Sequence, residues 1–184
     1  KNRYFFTETN KENLSFVVEI SKRLNIKNSI IKKTIKEFNG LKYRQQIIFK
    51  RKYLTIINDS KSTSFSSSIG LLESKDNIYW ILGGIFKRGD KFNLDKKYFK
   101  NIKAFIYGKN KKFFNKKLKG KIAFTNYANL KDALKKILII IKRKKFVNKT
   151  ILFSPCAASF DDFKNFEDRG FYFNKLVLKH FNAK

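Results

Sequence analysis

The chain has 184 residues, enough to bury one full hydrophobic core with a neighbouring fragment, so one or two domains are expected. Hydrophobic residues make up 42% of it and Phe alone fills 21 positions, which excludes a disordered chain even though 31% of the residues are charged. A single Cys excludes an internal disulfide framework, and the apolar run at residues 137–141 is far too short to span a bilayer.

The formal net charge of +29 raises polyanions as partners. The cations are scattered evenly among abundant Asn, Ile and Phe, however, which is the pattern of an AT-rich coding sequence rather than of a built patch. Weak, salt-sensitive adhesion to polyanions is therefore expected, and specific nucleic-acid recognition is not. A basic α/β nucleic-acid-binding module without enzymatic activity is the alternative reading, and it requires basic and aromatic residues to converge on one exposed face. The lone Cys and the lack of a signal-like start fit a cytoplasmic protein. The absence of Met suggests a piece of a longer polypeptide.

In chain order, Leu14, Val17, Val18, Ile20 and Leu24 predict a helix over residues 10–24, and Ile30, Ile31, Ile35 and Phe38 predict a second over 26–38. Asn39-Gly40 ends it and marks a boundary. Two β-rich runs, 46–49 and 53–57, flank Lys50-Arg51-Lys52 and predict a hairpin or two adjacent strands. Beyond them, strands at 78–82, 102–107, 121–124 and 150–153 alternate with helices at 66–73, 110–117, 130–143 and 161–181. That alternation predicts right-handed βαβ units, hence an α/β fold with a Rossmann-like, mostly parallel sheet and flanking helices. Ligands of such a sheet gather at the carboxyl ends of strands, which directs attention to the loops at 58–64, 83–90 and 154–159.

The first loop, Asn58-Asp59-Ser60-Lys61-Ser62-Thr63, concentrates a carboxylate, an ammonium group and hydroxyls. It can hold a ribose or a metal-bound phosphate through Asp59 and a negative substrate through Lys61, and it is equally ordinary turn composition. In the second, Gly83-Gly84 permits close backbone approach and Lys87 can offer its charge to a carboxylate. In the third, Ser159 stands where it can cap a helix starting at Asp161, with Asp162 completing a capping box, and a free helix start can accept an anion. Phe160, Phe163 and Phe166 recur at helical spacing, the pattern of core packing. Cys156 has no neighbouring acid–base partner and His180 is the only His, so both read as structural.

The wording of these loops is less ordinary than their composition. Ser154-Pro155, a small-residue turn, Ser159, then Phe160, Asp161, Phe163, Lys164, Asn165, Phe166, Glu167, Arg169 and Gly170 closely resemble the C-terminal signature of the Mur ligases, in the branch that adds D-glutamate. The first loop resembles that branch's Asn-Asp-Ser-Lys-Ala-Thr-Asn, departing at Ser62 and Ser64, and Leu82-Gly83-Gly84 with Lys87 resembles its Leu-Gly-Gly-x-x-Lys. Leu41-Lys42-Tyr43-Arg44 resembles Leu-Pro-His-Arg, with Lys42 and Tyr43 in place of Pro and His. Thr9-Asn10-Lys11-Glu12-Asn13 resembles His-Asn-x-x-Asn, with Thr9 in place of His.

The resemblance implies an ADP-forming amide ligase that adds D-glutamate to UDP-N-acetylmuramoyl-L-alanine in peptidoglycan precursor synthesis. ATP phosphorylates the substrate carboxylate, the D-glutamate amine attacks the acyl phosphate, and phosphate leaves, with Mg2+ stabilising the transferred charge. Residues 1–42 are then a short helical remnant ending the central ATP-binding domain, and residues 43–184 the C-terminal, D-glutamate-binding domain. The resemblance further implies D-glutamate contacts from Thr63, Lys87, Ser159, Phe160 and Phe166 and nucleotide contacts from Asn13, Arg44, Asp59 and Lys61, with Lys61 also catalytic and no metal ligand. The chain has no Gly-x-x-x-x-Gly-Lys-Ser/Thr loop, and the family carries ATP and Mg2+ mainly on upstream domains. By itself the chain is therefore expected to be an inactive monomer.

Overall fold

The computed structural model describes residues 2–6, 8–143 and 146–182 and divides into two compact units, residues 1–41 and 42–184. In the smaller unit the two amphipathic runs form α1 (Glu8–Arg23) and α2 (Asn28–Glu37), after a turn of 3-10 helix at Arg3–Phe6. The side-chain amide of Asn2 donates to the carbonyl of Ile35 at 2.7 Å, and the ring of Tyr4 meets those of Phe5 and Phe38 edge-on.

The larger unit is built on one six-stranded sheet, in the order β1-β2-β6-β3-β4-β5. Its strands are β1 (Gln46–Arg51), β2 (Leu54–Asn58), β3 (Ile78–Gly83), β4 (Ile102–Tyr107), β5 (Ala123–Asn126) and β6 (Lys149–Phe153). Strands β1 and β2 form the antiparallel hairpin, and every other pairing is parallel. Parallel neighbours require crossovers. These carry α3 (Ser66–Glu73), α4 (Lys111–Leu118) and α5 (Leu130–Lys142), and α6 (Phe166–Asn182) closes the chain.

Alternation along the strands divides the apolar side chains between two layers. Ile57, Trp80, Leu82, Ile106 and Leu152 share one layer with Phe65 and Leu72 at α3 and Phe114 of α4. Ile56, Ile81, Phe105, Ile151 and Phe153 share the other with Leu134 and Ile137 of α5 and Phe173 and Val177 of α6. Strands β3 and β6 are buried along their whole length, which is why residues 78–82 and 151–153 read as unbroken apolar runs. The chain leaves β2 toward α3 on one face and β6 toward α6 on the other, so a topological switch point lies between neighbouring strands.

Two elements start later than their sequence suggests. The amides of Lys121 and Ile122 donate back to the carbonyl of Leu118 and close α4, so β5 begins at Ala123 rather than Lys121. The helix expected from Asp161 begins at Phe166. The amides of Asp162 and Phe163 fold onto the carbonyl of Ser159 in one isolated turn, and Asn165 is the cap of α6, its Oδ1 accepting from the Asp168 amide at 2.7 Å. Ser159 is therefore not a helix cap, and Asp162 completes no capping box.

Phe65 is fully buried, with its ring centroid 5.1 Å from that of Phe92 and 6.0 Å from that of Phe114. Truncation in such surroundings loses both transfer free energy and packing. F65A is expected to lower the unfolding free energy in urea by about 3–5 kcal/mol with an unchanged denaturant slope.

Candidate functional site

The three loops singled out in the sequence leave adjacent strands, β2, β6 and β3, and are bonded to one another. The Asp59 amide donates to the carbonyl of Phe153 at 2.7 Å, and the Ser154 amide to that of Ile81 at 3.2 Å. The Gly83 amide donates to the carbonyl of Pro155 at 3.1 Å, while Ile85 and Ala158 exchange N–H···O bonds of 2.9 Å each. Gly83 and Gly84 stand at φ of 151° and 127°, and a β-carbon on either would run into a carbonyl oxygen, that of Tyr107 or of Ala158. Only glycine allows this seam to close.

Asp59 sits inside the seam, 5% exposed. Its carboxylate accepts from the Ser154 hydroxyl at 2.8 Å and from the Gln45 amide at 3.0 Å. Burial outweighs both bonds and the nearby charge of Arg44 and raises its pKa from 3.8 to about 7. The Ser154 hydroxyl also meets that of Ser68 at 2.6 Å, and Ser68 in turn meets Ser62 at 2.7 Å and the Cys156 thiol at 2.9 Å. This network accommodates Ser62, the departure from the family's Ala, because its buried hydroxyl finds partners at once. Burial also pushes the Cys156 thiol up, away from the thiolate a nucleophile needs.

Around this floor lie the other expected site residues. Lys61 is half-buried, its ammonium 4.0 Å above the ring of Phe166, and its backbone amide donates to the carbonyl of Tyr43 at 3.0 Å. Thr63 and Lys87 are exposed on their loops, Ser159 is 3% exposed with its hydroxyl engaged by no other described residue, and Phe160 is 70% exposed. Arg44 is exposed just ahead of β1, next to the Gln45 amide that holds Asp59. The carboxyl edge of β2, β6 and β3 thus carries Asp59, Lys61, Thr63, Lys87, Ser159, Phe160 and Phe166 on adjoining segments. Asn13 is exposed on α1, in the smaller unit, and the side chain of Thr9 lies outside the described part. A cavity of about 310 Å³ opens elsewhere, at the amino end of β2 between Tyr53, Leu138, His180 and Phe181, and none of these site residues lines it.

Three polar groups at this edge had no assigned task. Arg169, in the first turn of α6, is fully buried and hydrogen-bonds Ser60 and Ala157, residues of two of the loops. Tyr107 at the end of β4 and Asp161 beyond Ser159 bring a hydroxyl and a carboxylate oxygen that are buried without a protein partner among the described residues. Burial pushes the Tyr107 hydroxyl up to about 12 and the Asp161 carboxyl above its usual value, and the guanidinium of Arg169 opposes both shifts. One Arg among 43 basic residues gives no signal in composition, so only its place in the signature pointed to it.

The alternative reading needed aromatic residues to converge on an exposed face. Instead Phe65, Phe92, Phe105, Phe114, Phe153 and Phe173 are buried in the two cores. Of the exposed ones, Phe146 stands against Tyr53 at the amino end of β2, whereas Phe160 follows the carboxyl end of β6. A nucleic-acid module is not supported.

Because Asp59 holds its proton up to about pH 7 when folded and only to its ordinary 3.8 when unfolded, the folded state binds more protons between those values. Its contribution to stability is full below the lower value and is lost as pH rises through the upper one. Replacement by Asn removes that ionisation. D59N is expected to melt at a higher temperature than the unsubstituted chain at about pH 8, with the gap closing toward about pH 4. A lower melting temperature for D59N at the alkaline end would show that the ionised carboxylate stabilises the fold.

No family model matches the chain. It is 36% identical over 172 residues to a UDP-N-acetylmuramoylalanine–D-glutamate ligase of Wolbachia sp. subsp. Brugia malayi (strain TRS), covering 93% of this chain and 34% of that protein. It is 35% identical over 172 residues to the protein of that name from Rickettsia felis, covering 93% and 38%. With that from Francisella philomiragia subsp. philomiragia it shares 35% over 178 residues, covering 95% and 42%. The chain thus spans well under half the length of these curated relatives. With the motif-bearing loops joined at one sheet edge and this identity along nearly the whole chain, the protein is similar over its described length to part of the D-glutamate-adding Mur ligases.

Proposed function

We propose that the chain is the C-terminal part of a cytoplasmic, ATP-dependent, ADP-forming ligase that joins D-glutamate to UDP-N-acetylmuramoyl-L-alanine. Residues 1–42 end its central domain and residues 43–184 form its amino-acid-binding domain. The observation that carries this reading is the bonded seam between the loops bearing Thr63, Lys87 and Ser159, which sets two hydroxyls and an ammonium group on one sheet edge. A free amine must be held against a labile acyl phosphate with water excluded. Gripping the amino acid by its distal carboxylate does so without blocking the nitrogen. Thr63, Lys87 and Ser159 form that grip, and Phe160 and Phe166 flank it.

The nucleotide supplies the phosphoryl group that activates the muramoyl-alanine carboxylate. Arg44 and Lys61 are suited to phosphate oxygens, and Asp59 to a ribose hydroxyl or a metal-bound water. Lys61 neutralises charge on the transferred group, its ammonium restrained over Phe166. The family resemblance assigns a nucleotide contact to Asn13 as well. On this reading Mg2+ is bound mainly by the family's upstream domains.

The test uses the complete polypeptide that carries this chain. Loss of a charge-assisted bond to a carboxylate is worth about 1.5–3 kcal/mol, so K87A is expected to raise the D-glutamate KM roughly 10–100-fold while the ATP KM stays near its original value. Unchanged D-glutamate KM and turnover in K87A would sink the proposal, as would D-glutamate-dependent phosphate release by the 184-residue chain alone.

A further inference from the structure

Arg169 is fully buried, yet no carboxylate is hydrogen-bonded to it. Its Nη2 donates to the carbonyl of Ser60 at 2.7 Å and to that of Ala157 at 2.9 Å, and its Nε donates to the Ser60 hydroxyl at 3.1 Å. That hydroxyl donates in turn to the carbonyl of Phe166 at 2.8 Å. Nη1 has no protein partner among the described residues and points at the glycine pair, where a β-carbon on Gly84 would lie 3.1 Å from it. One guanidinium therefore bonds two loops of the seam and lies beside Gly84 of the third. An apolar side chain of similar volume would fill the space beneath α6 with a smaller desolvation cost. What it could not do is bind the carbonyl and hydroxyl of Ser60 and the carbonyl of Ala157 at once, which the fork of an Arg does and the point charge of a Lys does not.

We propose that Arg169 is the positioning residue of the D-glutamate grip, a role that rests on the reading of the site given above. Ser60 adjoins Lys61 in the Thr63 loop, Ala157 lies just ahead of Ser159, and Gly84 opens the loop that carries Lys87. Arg169 does not touch the substrate. It sets the separation of the groups that do, by tying the first residues of their loops to the start of α6. Tyr107 and Asp161 bring a polar hydroxyl and carboxylate to the neighbourhood of the same guanidinium, and both feel its charge.

The test compares R169K and S60A with the unsubstituted complete polypeptide, in initial rates of ADP formation at varied substrate. A residue that only supports folding lowers the active fraction, which reduces turnover and leaves KM alone. A positioning residue shifts the D-glutamate KM. R169K is expected to raise that KM at least about tenfold, and S60A, which removes the hydroxyl's bonds to Arg169 and to the carbonyl of Phe166 but leaves both carbonyl bonds of Arg169, about threefold, with the KM for the UDP-linked substrate within about twofold of the original. An unchanged D-glutamate KM in both variants overturns the proposal, and S60A decides it alone should R169K not fold. Hydrogen exchange on the 184-residue chain supplies a readout that needs no activity. In R169K the amides of Lys61 and Ala158, bonded to Tyr43 and Ile85, are expected to exchange at least about tenfold faster while those of β4 keep their rates. Should the complete polypeptide show no D-glutamate-dependent ADP formation, the functional reading falls. Exchange then still decides whether Arg169 holds the loops, and unchanged rates at both amides refute it.

Discussion

The carboxyl edge of this sheet depends on a charge held inside it. A buried guanidinium costs several kcal/mol in lost hydration, and without a hydrogen-bonded carboxylate that cost must be offset by neutral acceptors. Arg169 finds them in two backbone carbonyls and one hydroxyl, each a charge-assisted bond. The acceptors belong to loops after β2 and β6, and the donor belongs to α6, so the same bonds that satisfy the charge fix the helix against the strand ends. The acceptors remain in register only while the strands beneath them do.

Asp59 obeys the same constraint with the opposite sign. Its carboxylate is buried beneath the seam with two donors, too few to keep its pKa at the ordinary value. An acid whose proton is loosely balanced near neutrality is poised to ionise when a cation approaches. Around it the hydroxyls of Ser62, Ser68 and Ser154 and the thiol of Cys156 satisfy one another. Polar burial is concentrated at the carboxyl edge of the sheet, and the two apolar layers stabilise the fold that carries it.

Much of this was legible in the residues. Apolar runs at residues 78–82 and 151–153 marked β3 and β6 because both faces of each strand are covered, and the paired glycines marked a close approach that two carbonyl oxygens enforce. The start of α6 was not legible. Ser159 with Asp162 and Asn165 with Asp168 offer equivalent local caps, and local sequence has no means to choose between them. The tertiary structure selects the second. Ala158 is drawn into a bridge with Ile85, and the carbonyl of Phe166 is held by Ser60, so the chain must turn through residues 160–165 before a helix can run. The late start of β5 has a similar cause, since the amides ahead of it are consumed in closing α4.

From residues alone came the class of fold and the three loops that follow β2, β3 and β6, because periodicity, glycine pairs and motif wording are local properties of the chain. What only the tertiary structure decided was the strand order. Inserting β6 between β2 and β3 turns three loops far apart in sequence into one bonded seam, and it gives Arg169 acceptors more than a hundred positions away. Hydrogen bonding between strands is non-local, and a basic residue among many others acquires a distinct role only through the carbonyls that folding places around it.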